Sequence, residues 1–158
     1  MRFPGLNILL LAAAAGLQPA TLQAADMAIG VLDVSVLNGE VLPVPVAPLV
    51  ATRTMMDIID SRGMRVVVLM GTRRAGTRAP IHVHDFGGHT CVFSGEITVF
   101  MEGHAPQRMP AGSCYDMPPA TLMSAANLGQ EDVVLTDTFS LPPGLPLMTL
   151  REKGYVAP

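Results

Sequence analysis

Residues 76–95 read GTRAPIHVHDFGGHTCVFSG and contain three of the four histidines of the chain and one of its two cysteines. Successive side chains of a β-strand point to opposite faces, so a strand here places His82 and His84 on one face. Two neutral imidazoles held at this separation suit a first-row transition metal. The alternative is a polar strand end that binds nothing. The stretch therefore predicts a two-histidine site on a β-strand.

The rest of the chain consists of short apolar runs separated by turn residues. Residues 64–70, MRVVVLM, and residues 97–101, ITVFM, are rich in the branched residues that favour strands. No segment after the first 25 residues shows helical periodicity across ten or more residues. The pattern predicts an all-β barrel or jelly roll.

For three segments before the histidines, the sequence is compatible with more than one structure or role. Residues 41–50 contain three prolines, which lack amide hydrogens, and are predicted to form an edge strand or an extended arm. Residues 52–60 are compatible with a strand or a short helical turn. Arg73 and Arg74 are predicted to lie on a solvated turn, with the attraction of an anionic ligand as the alternative.

The beginning of the chain is typical of a secretory signal peptide. Arg2 precedes an apolar run at residues 9–17, and the small residues Ala24 and Ala25 follow. We expect a signal peptide at residues 1–25, one mature domain at residues 26–158, and a periplasmic or secreted protein. An uncleaved membrane anchor is the alternative.

The composition of the chain limits the kinds of molecule that the protein is expected to bind. The chain has 158 residues, about half of them apolar (49%), and a formal net charge of −3. It is long enough for a single domain with its own core. A mildly acidic domain is not typical of proteins that bind nucleic acid or, after removal of the signal peptide, a membrane surface.

Cys91 and Cys114 are the only cysteines in the chain. In an exported protein such a pair can form a disulfide, but two free thiols or metal-ligating thiolates are equally compatible with the sequence.

Part of the chain resembles the cupin superfamily. The first cupin motif is similar to Gly76, the pair His82 and His84, and Gly95, and the second is similar to Pro110, Gly112, Pro118, Pro119 and Asn127. The resemblance covers roughly residues 64–139. It implies a double-stranded β-helix, which is a jelly-roll barrel of two facing antiparallel sheets, with its core at about residues 64–140.

In many cupins, two histidines and a glutamate of the first motif and a histidine of the second hold a metal inside the barrel. Here Gly88 stands where the glutamate is expected, with His89 beside it, and Met123 stands where the second-motif histidine is expected. A bulge at residues 87–88 would turn His89 inward. The resulting donors, His82, His84, His89 and Met123, favour copper among divalent transition metals. The alternatives are that Met123 is core packing and that residues 87–88 are a loop tip.

The resemblance also suggests a ligand pocket. Arg78 has the same strand parity as the histidine pair and is expected to face the cavity. Its partner would be Asp85, Glu96, Asp116 or an anionic ligand.

Two further features follow from the same resemblance. Tyr115 is a second candidate for the cavity wall. The strands that carry Cys91 and Cys114 would be neighbours, which makes a disulfide possible. A cysteine thiolate that binds copper beside the histidines and Met123 is the alternative.

Three functions are compatible with the sequence. The first is an exported small cupin that binds a transition metal, a small molecule or both inside its barrel. The second is a metal-dependent oxidoreductase, similar to a dioxygenase, and the third is a metal-free structural or dimerisation module. The apolar content and the arm at residues 41–50 also predict a homodimer.

Overall fold

A computed structural model describes residues 36–152 of the protein. These residues form eleven β-strands, which confirms the predicted all-β class. The strands are β1 Val50–Ile59, β2 Arg65–Arg73, β3 Thr77–Arg78, β4 His82–Val83, β5 Gly88–Val92, β6 Glu96–Met101, β7 Gln107–Pro110, β8 Cys114–Met117, β9 Met123–Asn127, β10 Val133–Leu141 and β11 Thr149–Leu150. Within residues 36–152, no helix is long and apolar enough to cross a membrane. The predicted signal peptide lies outside the described residues.

The strands form two antiparallel sheets. One has five strands in the order β1-β2-β10-β5-β8, and the other has six, in the order β11-β4-β9-β6-β7 with β3 beside β9. Buried side chains of both sheets, among them Ile97, Met123, Leu135 and Phe139, form one core. The histidine strand β4 belongs to the second sheet and lies between β9 and β11.

The segment before the histidines differs from its prediction in detail. Residues 52–59 are strand rather than helical turn, because they belong to β1, which pairs with β2 along most of its length, and residue 60 follows the strand. Residues 41–49 form the predicted extended arm, and Val46 makes a parallel bridge to Arg78. β1 is the edge of its sheet and exposes Met55, Ile58 and Ile59. The homodimer stays a prediction.

Arg73 is not on a solvated turn. Strand β2 continues through Arg73, which pairs with Val133 of β10, so its side chain points inward and is only 5% exposed. Its guanidinium donates a hydrogen bond to the carbonyl of Ala47. Arg74 is exposed, as predicted. The error arose because glycine at position 71 was interpreted as the start of a loop, whereas it lies within the strand.

Candidate metal and ligand site

His82 and His84 point into the barrel from the same face of the histidine strand. Each side chain is 5% exposed, and the two Nε2 atoms lie 3.0 Å apart. The rings are nearly perpendicular, with centroids 4.7 Å apart, and the ring of His84 also packs on Phe139. The predicted two-histidine arrangement is therefore present in the fold.

The Nδ1 atoms of the two rings are held by hydrogen bonds to backbone carbonyl groups. His82 Nδ1 lies 2.7 Å from the carbonyl oxygen of Pro80, and His84 Nδ1 lies 2.7 Å from that of Leu147. A carbonyl oxygen only accepts hydrogen bonds, so both Nδ1 atoms carry the proton and donate it. In neutral rings, the two Nε2 atoms then present lone pairs to each other. This arrangement suits a cation between them, because metal-binding histidines usually donate their other ring nitrogen to a carbonyl or carboxylate.

Burial keeps both imidazoles neutral. Burial, together with the neighbouring His84, lowers the pKa of His82 to about 4. Burial also lowers the pKa of His84, although its hydrogen bond to Leu147 opposes the effect. At neutral pH both rings therefore keep their Nε2 lone pairs.

The same pKa shift predicts a loss of stability in acid. A histidine whose pKa is lower in the folded than in the unfolded state stabilises the fold fully above its unfolded value of 6.5, and that contribution is lost as the pH falls towards 4. For His82 the loss amounts to about 3 kcal/mol. We expect urea midpoints of the metal-free protein to fall across this range, and to fall much less in His82→Leu. Parallel curves for the two proteins would contradict the prediction.

Met123 lies next to the histidine pair. It is opposite His82 in the β4–β9 register, is 1% exposed and borders the same cavity. Its thioether is therefore placed on the wall that carries the imidazoles, where the second-motif histidine of the resemblance was expected.

His89 does not join the pair, which corrects the prediction that it turns inward. Strand β5 begins at Gly88 and alternates regularly, so Thr90 is buried and His89 faces outward. The His89 side chain is 67% exposed, and its Nδ1 lies 3.1 Å from Asp116 Oδ1. Gly87 has a positive φ of 72°, but this turn precedes the strand and does not shift its phase.

Gly88, the position of the expected glutamate, has no room for a side chain. A Cβ atom there would lie 2.7 Å from the ring of Phe139 and 2.8 Å from the terminal methyl of Met117. Within residues 36–152, no three histidine, cysteine, aspartate or glutamate side chains lie close enough together to hold a metal ion. The residues present therefore do not fit the four-ligand cupin site with its carboxylate.

Arg78 is buried but points away from the cavity. Its guanidinium forms a two-pronged ion pair with Glu152, with both N–O distances at 2.6 Å. Burial alone would raise the pKa of Glu152, but hydrogen bonds from Arg78 and from the Ile81 amide lower it. The predicted partners Asp85, Glu96 and Asp116 were therefore wrong, because each contacts another residue: Thr149, Arg108 and His89, respectively.

Cys91 and Cys114 form a disulfide, with a Cα–Cα distance of 4.0 Å. They are directly opposite each other on β5 and β8. Their strand neighbours Thr90 and Tyr115 face inward, so the disulfide lies on the outer face of the sheet. The alternative of a thiolate that binds copper is therefore wrong, since both sulfurs are bonded to each other.

A cavity of about 290 Å³ adjoins the histidine pair. Most of its wall is apolar and comes from both sheets, with Leu49, Leu69, Met117, Met123, Leu135, Phe139 and Leu147 among its lining residues. The polar groups besides the histidines include Arg73, Thr90, Tyr115 and Asp137. The structure thus places Tyr115 at the cavity, as the sequence suggested.

Asp137 is a candidate site residue that sequence reasoning missed. It borders the cavity, and the Thr90 hydroxyl donates a 2.6 Å hydrogen bond to its Oδ1. Burial raises the pKa of Asp137 and also that of Tyr115. The sequence did contain a signal, because Asp137 has the same strand parity as Leu135 and Phe139 and so interrupts an apolar face.

Comparison with solved structures identifies the fold. An uncharacterised conserved protein with a double-stranded β-helix domain from Klebsiella pneumoniae matches with a TM-score of 0.52 and 23% identity, over 68% of this chain and 91% of that chain. The DMSP lyase of Ruegeria pomeroyi matches with a TM-score of 0.53 and 18% identity, over 66% of this chain and 53% of that chain. A cupin-like protein from Thermotoga maritima matches with a TM-score of 0.50 and 15% identity, over 66% of this chain and 85% of that chain.

No protein-family model matches the sequence, and no curated protein matches it. At these identities the solved structures show the fold and not the activity. Their shared architecture agrees with the two antiparallel sheets of this chain. The described part of the chain has a double-stranded β-helix fold, as these solved structures do.

Proposed function

We propose that this protein binds a transition metal ion inside its barrel through Nε2 of His82 and Nε2 of His84. The observation that supports the proposal is the convergence of these two atoms to 3.0 Å while both Nδ1 atoms donate to carbonyl oxygens. The pair is therefore oriented for a cation before the cation arrives, which reduces the cost of binding.

Copper is the ion that the donor set favours. Two imidazoles and a thioether are borderline and soft ligands, and soft thioethers select copper(I) over harder ions. A carboxylate, which manganese and iron prefer, has no place at Gly88, because Phe139 and Met117 fill that position. Ions that accept few ligands are consequently better suited to the site than ions that need an octahedral shell.

The proposal includes export to an oxidising compartment. The Cys91–Cys114 disulfide is the kind of bond that persists in secreted and periplasmic proteins. It supports the interpretation of residues 1–25 as a signal peptide.

A metal-dependent oxidoreductase is the second candidate function, favoured by the cavity beside the histidine pair. A bound copper ion would supply one-electron redox chemistry there, while the apolar wall would exclude water from a small substrate. Oxygen uptake by the copper-loaded protein with phenols, diketones and thiols distinguishes this candidate from simple binding.

Equilibrium dialysis against copper and zinc tests the proposal. We expect the parent protein to bind about one copper ion per chain. His82→Ala and His84→Ala should each lose at least about tenfold in affinity, since loss of even an outer-shell partner of a metal ligand typically costs that much. The exposed histidines provide matched controls, so His89→Ala and His104→Ala should bind copper like the parent.

The contribution of the thioether is tested by Met123→Leu, which preserves volume. This variant should weaken copper(I) binding more than zinc binding. A parent protein without copper after loading, or equal copper content in all four histidine variants, would contradict the proposal.

A further inference from the structure

A row of three oxygen-bearing side chains crosses the cavity wall on the five-stranded sheet. Asp137 of β10 is directly opposite Thr90 of β5, which is directly opposite Tyr115 of β8. All three border the cavity that the histidine pair also borders. The cavity therefore has two polar regions, one on each sheet, separated by apolar side chains.

The hydrogen bond between Thr90 and Asp137 leaves an acceptor on Asp137 for a ligand. Thr90 donates its only hydroxyl hydrogen to Asp137 Oδ1. The second oxygen of Asp137 remains an acceptor, and the two histidine Nε2 atoms are acceptors as well. A ligand that satisfies these atoms must bring a donor hydrogen.

Charge in the cavity argues for a neutral donor. Arg73 also lines the cavity and acts on Asp137, so its permanent positive charge offsets that of an ionised Asp137 and an ammonium group gains little net attraction. The acceptor atoms of Asp137 and of the histidines disfavour a carboxylate, whose oxygens also only accept. The apolar majority of the wall suits a hydrocarbon or aromatic body.

We propose that the cavity binds a neutral small molecule with an apolar body and a hydroxyl group, and that the hydroxyl donates to Asp137. This deepens the small-molecule part of the proposed function and does not require a metal. Asp137 borders the cavity at a position where burial disfavours its charge, and a buried carboxyl group in such a place is a candidate for ligand binding.

Calorimetric titration of the metal-free protein with four similar probes tests this inference. The probes are phenol, toluene, benzylamine and benzoate, which differ in the polar group on a shared ring. We expect phenol to bind about tenfold more tightly than toluene, because one neutral hydrogen bond typically contributes that much affinity. Benzylamine and benzoate should bind more weakly than phenol.

Variants at Asp137 assign the effect to its carboxyl. In Asp137→Leu, we expect the affinity for phenol to fall to that for toluene, while the affinity for toluene stays unchanged. In Asp137→Asn, the preference for phenol over toluene should largely persist. Asp116→Leu, on the outer face, is the matched control and should leave both affinities unchanged. If Asp137→Leu does not fold, Thr90→Val, which removes the group that orients Asp137, should reduce the preference for phenol.

Three outcomes would overturn the inference: no binding of any probe, tighter binding of benzylamine or benzoate than of phenol, or an unchanged preference for phenol in Asp137→Leu. Copper binding is measured separately by dialysis. Failure of the metal proposal is therefore distinguishable from failure of this one.

Discussion

Gly88→Glu is expected to destabilise the protein rather than to complete a cupin metal site. A Cβ atom at this position would approach Phe139 to 2.7 Å and Met117 to 2.8 Å. Met117 can move its terminal methyl, but the Phe139 ring is packed against His84, with centroids 5.0 Å apart. Overpacking and the burial of a carboxylate together should cost about 3 kcal/mol or more.

Urea unfolding at neutral pH measures this effect. The double variant Gly88→Glu with Phe139→Ala provides the control, because it removes the ring that blocks the new side chain. Because Phe139→Ala is itself destabilising, we expect Gly88→Glu to cost less stability in the Phe139→Ala background than in the parent protein. A Gly88→Glu protein with the parental midpoint and tighter metal binding would show that the barrel can accommodate the glutamate after all.

Removing the carboxylate of Glu152 should destabilise the protein and weaken the histidine site together. The side chains of Arg78 and Glu152 are only 8% and 12% exposed, so Glu152→Ala leaves a buried guanidinium without its charge partner. Loss of one partner of a buried ion pair typically costs about 3 kcal/mol or more. Glu152 also accepts a hydrogen bond from the Ile81 amide, next to His82.

The control for this prediction is an exposed ion pair. Arg108 and Glu96 form a contact of 2.7 Å, but the Arg108 side chain is 77% exposed, so Glu96→Ala should change the urea midpoint little. In addition, Arg78→Met combined with Glu152→Leu should recover much of the loss, because no charge is then left buried. Equal effects of Glu152→Ala and Glu96→Ala would contradict this account of the ion pair.

The end of the described chain is what positions the histidine pair. Leu150 pairs with His82, the Arg151 amide donates to the Ile81 carbonyl, and the Leu147 carbonyl accepts from His84 Nδ1. These contacts span more than sixty residues of sequence. Local patterns cannot show such contacts, which explains why Glu152 was not among the expected partners of Arg78.

Local patterns did predict the strands and the pair itself. Branched residues between turn glycines indicated most of the strands, and alternation placed His82 and His84 on one face. The same rule failed where a strand boundary was unknown. His89 was expected to face inward through a bulge, but β5 begins at Gly88 without a phase shift. Arg73 was expected on a turn, but β2 extends through it.

The disulfide and Asp137 show two further limits of prediction from the sequence. Cys91 and Cys114 are opposite each other because β5 and β8 pair in one particular register, which the sequence does not determine. Asp137 faces the cavity by the same alternation that places Leu135 and Phe139 in the core. In the sequence, the second polar region of the cavity was therefore indicated only by a charged residue on an otherwise apolar strand face.

X-ray absorption at the copper edge of the copper-loaded protein tests the central claim most directly. The account predicts two imidazole nitrogens and one sulfur around copper, with the imidazole signal absent from a protein that carries both His82→Ala and His84→Ala. A copper environment of oxygen atoms alone, or one that is unchanged in the double variant, would contradict the proposal that the histidine pair holds the metal.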